Sequence, residues 1–258
     1  MKKTQLKIIG LVAVILLAAI LVGKTTQLSL VQQPSPATTT KKAASVKKSA
    51  PAKKRQPDQK HFYKKIYPIP GVLEFINYPA DFAGLVATGD LAIVGQVTAL
   101  KSYVYQGSTV AAYTLATIKV QRILANSGKK SPKSIKVLFA GGNIRKDLLL
   151  GHLLTKDFIS ADEKAAMNSS ALVTAKYSYC PLPQINQKLA VIVSHEPAGT
   201  NGVEQSFYMP VFSGKGVFLK QKDGRYARER IDKSMPLNHD DGLMNQGMTE
   251  LIKGTQQI

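Results

Sequence analysis

The stretches IVGQVTAL (Ile93–Leu100) and ATIKVQ (Ala116–Gln121) decide the class of fold. In the first, Ile93, Gly95, Val97 and Ala99 alternate with Val94, Gln96, Thr98 and Leu100. In the second, Ala116, Ile118 and Val120 alternate with Thr117, Lys119 and Gln121. Successive side chains of a strand point to opposite faces, so a period of two predicts β-structure with one polar-leaning face. The same pattern recurs outward along the chain. Ile135, Val137 and Phe139 face away from Lys136, and Val173, Ala175 and Tyr177 face away from Thr174 and Lys176. LAVIV (Leu189–Val193) is apolar throughout and reads as a central strand buried on both sides. Shorter strands are predicted over Phe207–Phe212, Gly216–Lys220 and Arg225–Glu229, with Asp223-Gly224 as the turn between the last two.

Helical signals are fewer. Asp81 is placed to cap a short helix through Ala87, stopped at Gly89. Asn143 is placed to cap another whose Leu148, Leu149, His152 and Leu153 share a face, which makes His152 a partly buried structural residue. Ser160 with Glu163 forms a capping box that opens a helix over Ala161–Met167. Leu243, Met244, Gly247, Met248, Leu251 and Ile252 recur at helical spacing and predict a last amphipathic helix packed on the domain. Some eight short strands with helices inserted between the third and fourth predict a mainly β (α+β) fold. Its expected form is a small barrel or curved sheet with short helices, since closure removes exposed edges.

Net charge divides the chain. Of the formal +19, residues 1–65 carry +13, with Asp58 their one acidic residue, and the remaining 193 residues carry a mild +6. A basic tail beside a domain of near-ordinary charge suits an anionic surface better than specific readout of nucleic acid. The domain has no Trp and no basic stretch with interleaved aromatics for base stacking. Cys180 is the single cysteine, so no intrachain disulfide can form; beside Pro181 it reads as a packing residue.

The N-terminal quarter reads as three pieces before a domain over 66–258. Residues 1–7 are a basic segment with Lys2, Lys3 and Lys7. Residues 8–23 (IIGLVAVILLAAILVG) hold no charge and predict a transmembrane anchor or signal peptide, extended by snorkelling of Lys7 and Lys24. Small residues suited to cleavage are missing just after the run. Ser35-Pro36-Ala37 lies too far downstream, so a retained single-pass anchor is expected, with secretion after cleavage as the alternative. Lysines nearest the apolar run lie mostly on its N-terminal side, which predicts N-in, C-out topology and an extracytoplasmic domain. Residues 24–65 are rich in Lys, Pro, Ser and Thr and have too little to bury to offset the entropy of ordering, so a disordered tether is expected. Lys41, Lys42, Lys47, Lys48, Lys53, Lys54 and Arg55 recur along it, and anionic wall polymers or lipid headgroups are their natural partners.

The stretches Asp90–Thr98 and Tyr113–Leu124, followed by Gly141-Gly142-Asn143 and by Pro181-Leu182-Pro183 before LAVIV, carry a resemblance over most of residues 72–220. The chain resembles a group of uncharacterised bacterial surface proteins with a leading helix and strands of this form. The strand pattern is also similar to the oligonucleotide/oligosaccharide-binding barrel of netrin-like domains and tissue inhibitors of metalloproteinases. Their N-terminal and framework cysteines are missing here. The resemblance therefore implies an OB-like barrel used as a binding or scaffold module, without inhibitory action through a terminal cysteine.

Motifs for chemistry do not assemble. Tyr177-Ser178-Tyr179-Cys180-Pro181 departs from the sortase pattern, and no His occurs between His61 and His152 where a base would lie. Ser213, in Phe212-Ser213-Gly214-Lys215-Gly216, lacks the strand-to-helix setting of a nucleophile elbow and reads as a β-turn. No Walker-type phosphate loop or dinucleotide-binding glycine set is present. His195-Glu196 opens like a zinc-protease helix, but Pro197 follows, and the pair reads as a surface loop. Asn238-His239-Asp240-Asp241-Gly242 offers oxygens for Ca²⁺ without EF-hand spacing, and Asp241 reads as a helix cap. No catalytic residue, cofactor or metal site is therefore expected, and a sortase- or hydrolase-like envelope enzyme is the alternative. Tyr177, Tyr179, Phe207 and Tyr208 are the candidate aromatics of a ligand groove. The expected function is that of a membrane-tethered extracytoplasmic module of the cell envelope, binding a polymer, peptide or protein.

Overall fold

The computed structural model describes residues 61–71, 73–107, 109–128, 131–230 and 239–255. The predicted anchor over 8–23, nearly all of the tether and all seven of its singled-out cations lie outside these residues. No helix among them is long and apolar enough to cross a membrane.

The described fold is mainly β, with short helices, as the alternating segments lead one to expect. Strands β2 (Leu91–Gln106) and β3 (Val110–Asn126) form one long antiparallel hairpin, and β3 continues antiparallel to β4 (Ser134–Ala140). After an excursion of helices and short strands, β7 (Lys188–Glu196) returns antiparallel to β2. Then β8 (Phe207–Pro210) pairs antiparallel with β7 and, through Val137 and Tyr208, parallel with β4. Pairing is therefore cyclic in the order β2-β3-β4-β8-β7 and back to β2. Register shifts between Ala92 and Ile93, Val94 and Gly95, and Val97 and Ala99 bend the long hairpin, as closure requires. On the far side of β7 the sheet extends through β9 (Val217–Lys220) to the two-residue edge strand β10 (Tyr226–Ala227), joined by the predicted turn at Gly224.

Alternation sorts the core into two layers. Leu189, Val191 and Val193 point inward with Leu91, Ile93, Val97, Ile118, Ile135, Val137 and Phe139. Ala190 and Ile192 point outward into a second layer with Leu85, Phe218, Met244 and Met248. This explains why LAVIV has no polar residue: each face of β7 is covered, and all five side chains are fully buried. The covering elements are α1 (Phe82–Ala87), capped as predicted by Asp81 accepting from the Gly84 amide at 2.7 Å, and the C-terminal helix α4 (His239–Gly254). Gly247 of α4 lets the two approach closely, because a Cβ there would lie 2.3 Å from the Phe82 ring. On β3, Arg122 closes the other end of α4 by donating to the Ile252 carbonyl at 2.8 Å.

A smaller sheet, in the order β1-β6-β5, joins β1 (Lys65–Ile69), β6 (Leu172–Tyr177) and β5 (Gly142–Arg145). Here the sequence reading needs correction. Asn143 lies in β5 rather than capping the helix α2 (Lys146–Leu150), which has no side-chain cap. Instead its amide donates to the Phe62 carbonyl at 2.8 Å, and its oxygen accepts from the Thr174 hydroxyl at 2.5 Å. Thr174, fully buried, in turn accepts from the Lys64 amide at 2.7 Å. This clamp fixes the chain as it enters the domain. Phe62 and Tyr63 pack against the inner core. The capping box of Ser160 and Glu163 opens α3 (Ala161–Met167) as predicted, whereas His152 is exposed rather than partly buried.

Candidate functional site

Two places on the domain gather polar and aromatic side chains. The first is an open groove of about 540 Å³ on the outward face of the β2-β3-β4 sheet. Alternation puts Ala99, Lys101 and Tyr103 of β2 beside Leu115 and Thr117 of β3 and Lys136 of β4, because Lys101 pairs with Leu115 and Thr117 with Lys136. Glu204 and Gln205, from the β7–β8 connection, form the facing wall. That connection is held down by an apolar plug in which Val203 and Phe207 are buried against Leu115 and Leu138. The Lys101 ammonium donates to the Tyr103 hydroxyl at 3.2 Å and lies 4.8 Å from its ring centroid, while Lys136 donates to the Gln205 side-chain oxygen. Lys101 and Lys136 thus stand at an exposed surface facing Glu204 and Gln205, and among the described residues neither forms an ion pair, a setting for an anionic ligand with a face to lay on tyrosine.

The second place is a junction built around Arg228. Its side chain is only 3% exposed, yet it is fully bonded. One terminal nitrogen donates to Asp240 at 2.8 Å and Asp241 at 2.9 Å, the other to the Tyr78 hydroxyl at 2.8 Å, and Nε to the Lys215 carbonyl at 2.8 Å. Its backbone amide donates to Asn245 at 2.9 Å, and the guanidinium lies 5.3 Å from the Phe218 ring. Lys215 approaches the same two carboxylates at 3.3 and 3.5 Å. Asp240 and Asp241 therefore lie inside the first turn of α4, where they pair with the buried Arg228 and the partly exposed Lys215, so Asp241 does not take the expected cap role.

Beside this junction the chain is strained. Phe212 and Ser213 are consecutive non-glycine residues with left-handed backbones, φ 46° and 55°, at a cost of about 1–2 kcal/mol each. The predicted strand over Phe207–Phe212 consequently ends at Pro210, and the expected β-turn is a 3-10 turn over Ser213–Gly216. Gly214 is required there, since a Cβ would lie 2.1 Å from the Tyr179 carbonyl oxygen. The turn thrusts Phe212 between Phe75 and Tyr78, with ring centroids 5.3 and 5.1 Å away, both edge-on.

Cys180 lies under this turn, 1% exposed, and its thiol donates to the Pro181 carbonyl at 3.8 Å. Burial pushes its thiol up to about 12, so it is protonated at neutral pH and is not an activated nucleophile. Of the sequence-selected aromatics, Tyr177 and Tyr179 stack at 5.3 Å, and burial with neighbouring Tyr177 and Cys180 raises the Tyr179 hydroxyl to about 12. Phe207 is a core residue at 1% exposure, and Tyr208 meets the ring of His195 edge-on at 5.4 Å. The four therefore do not line one groove. His195 and Glu196 end strand β7 rather than forming a loop, tied by the His195 amide to Asp90 at 2.7 Å.

Sequence reasoning missed Lys101, Tyr103, Lys136 and Gln205. The i, i+2 spacing of Lys101 and Tyr103 on a strand could have placed those two on one face, but joining them to Lys136 needed the register. Nothing in Arg225–Arg230 distinguishes Arg228 from its neighbours. Compared with family models, with curated proteins and with solved structures, the chain matches none.

Proposed function

We propose that this domain is a non-enzymatic binding module of the oligonucleotide/oligosaccharide-binding barrel type, tethered outside the cytoplasm by the N-terminal apolar segment and taking an anionic envelope polymer in the β2-β3-β4 groove. Supporting the barrel type is the cyclic strand order in which the third and fifth strands, β4 and β8, run parallel and the helices fall between the third and fourth, β4 and β7. Barrels of that type use the same sheet face, flanked by the first hairpin and the fourth connection. The single observation that carries the ligand class is the groove itself, with Lys101 on β2 and Lys136 on β4 standing on either side of Leu115 and Thr117 of β3, and Tyr103 beside Lys101. Tether cations Lys41 to Arg55 would add a second, sequence-independent attraction to the same polymer, raising avidity without new pocket contacts. The protonated, enclosed thiol of Cys180 favours binding over catalysis.

Two measurements test this reading. The full chain, reconstituted in phosphatidylcholine vesicles, is expected to be retained on immobilised poly(glycerol phosphate). Lys101→Glu with Lys136→Glu should lower the affinity about tenfold or more at fixed salt. Equal retention of the double variant would remove the groove from the mechanism. Protease shaving of intact cells is expected to release the domain, and a domain left protected would overturn the outward topology.

A further inference from the structure

The β7–β8 connection, which carries the Glu204-Gln205 wall of the groove, contains the chain's single Asn-Gly pair, Asn201-Gly202. Three of its residues have left-handed backbones: Gly199 at φ 93°, Asn201 at 49° and Gly202 at 72°. Glycine and asparagine enter that region at less cost than other residues, so the pair suits the turn. The Gly199 amide closes it by donating to the Val203 carbonyl at 2.7 Å. Inside that span the Gly202 amide donates to the Gly199 carbonyl at 3.2 Å and the Val203 amide to the Thr200 carbonyl at 3.0 Å. Val203 itself is fully buried in the plug over Leu115 and Leu138.

The same pair has a chemistry of its own. The carboxamide carbon of an asparagine is open to attack by the backbone nitrogen of the next residue, and a side chain on that residue hinders the approach. Every other asparagine of the chain precedes a residue with a side chain. Asn77 and Asn186 are also left-handed, but Tyr78 and Gln187 follow them. The Asn201 carboxamide donates to the Met209 sulfur at 3.7 Å, a weak acceptor, whereas that of Asn143 is clamped through both its nitrogen and its oxygen. What restrains the attack at Asn201 is the turn. The Gly202 nitrogen reacts only after losing its proton, and that proton is held on the Gly199 carbonyl. Breaking one bond of a surface turn lies at the low end of local opening free energies, and a Cβ at Gly199 would meet nothing within 4 Å, so its outer side has room to move.

We propose that Asn201 is a self-modification site, converted by its own chain to isoaspartate and aspartate. The Gly202 nitrogen, its proton taken by hydroxide, forms a bond to Asn201 Cγ. The Cγ–Nδ2 bond breaks, and Nδ2 takes a proton from water and leaves as ammonia. Water then opens the cyclic imide: addition at the main-chain carbonyl gives isoaspartate, and addition at the former side-chain carbonyl gives aspartate. Water is the co-reactant, and nothing is oxidised or reduced. Isoaspartate routes the main chain through Cβ and Cγ, which lengthens it inside the span that the Gly199–Val203 bond closes. Either product sets a new carboxylate in the connection that carries Gln205, the partner of Lys136. On the groove reading, conversion therefore lowers affinity for an anionic polymer. The conversion itself goes beyond that reading and does not depend on it.

The full chain in phosphatidylcholine vesicles is aged in mildly alkaline heavy-oxygen water, digested in ordinary water and mapped by mass spectrometry, with isoaspartate read by enzymatic methyl labelling. Asn201 is expected to take up heavy oxygen about tenfold or more faster than any other asparagine. It should convert about tenfold or more slowly than in the same chain unfolded in urea, because the closed turn must open first. Asn201→Gly, which keeps the left-handed backbone and removes the carboxamide, should gain no label at that position. Ageing should weaken retention on poly(glycerol phosphate) for the parent chain and not for this variant. Label appearing first at another asparagine would overturn the proposal. So would an Asn201 that stays unlabelled while the urea-unfolded chain converts. A fresh chain that the polymer does not retain, with Asn201 labelled on ageing, would count against the groove alone and uphold the modification site.

Discussion

The β2-β3-β4 groove and the Arg228 junction use the same residue types to opposite ends. In the groove, Lys101 and Lys136 sit on a finished sheet, touch one polar neighbour each in the contacts resolved, and remain open to solvent. In the junction, Arg228 joins three separate parts of the chain: Tyr78 before α1, Lys215 in the strained turn, and the first turns of α4. A charge at a surface costs little to keep and little to lose. A charge sealed under protein must be paired on every side, and its partners then depend on it.

The sharpest way to break this contrast is Arg228→Met, which keeps bulk but removes four side-chain hydrogen bonds. It is expected to cost about 3 kcal/mol in urea unfolding, below the extreme for buried pairs because Asp240 is 34% exposed and can rehydrate. A loss under about 1 kcal/mol would mean that the junction does not hold α4 in place.

Alkaline pH probes the enclosed side of the same region. The unfolded thiol of Cys180 titrates near 9, but burial holds the folded one up to about 12, so across that window the folded state binds more protons and stability falls as pH rises. Each such group contributes a slope of up to about 1.4 kcal/mol per pH unit between its two values. Tyr179, also raised, adds to the upper part of the window. Cys180→Ala should flatten the decline between pH 9 and 11 in thermal melts; an unchanged slope would place the thiol in solvent.

At the other end of the scale, Lys101→Ala with Lys136→Ala should change stability by less than about 0.5 kcal/mol while weakening polymer retention. A large stability loss would make the groove structural, like the junction, and would sharpen the comparison against the binding reading.

Much of the scaffold was legible because strands bury alternate residues. The period-two runs located β2, β3, β4 and β6, and both the place and the two-sided burial of β7 followed from the lack of any polar side chain in LAVIV. Local caps at Asp81 and Ser160 were readable for a similar reason, since donor and acceptor lie three residues apart. Asn143 misled because a polar residue before a helix satisfies the cap pattern as well as it satisfies a clamp. Its real partners, Phe62 and Thr174, are 81 and 31 residues away. Strand β1 was missed because KIYPI has Pro68 and two lysine neighbours, and it pairs at an edge where one free side suffices.

By itself, the sequence determined the β-rich class, the layered burial of β7, the starts of α1 and α3 and the separation of a +13 leading region from a domain of +6. All of these depend on composition or on neighbours within a few residues. Tertiary structure alone decided that β8 meets β4, that Lys101 and Lys136 flank one groove, and that Arg228 rather than Arg225 or Arg230 is buried. Those outcomes depend on which distant segments come to share a surface, and hydrogen-bond register and desolvation set that only once the chain has closed on itself.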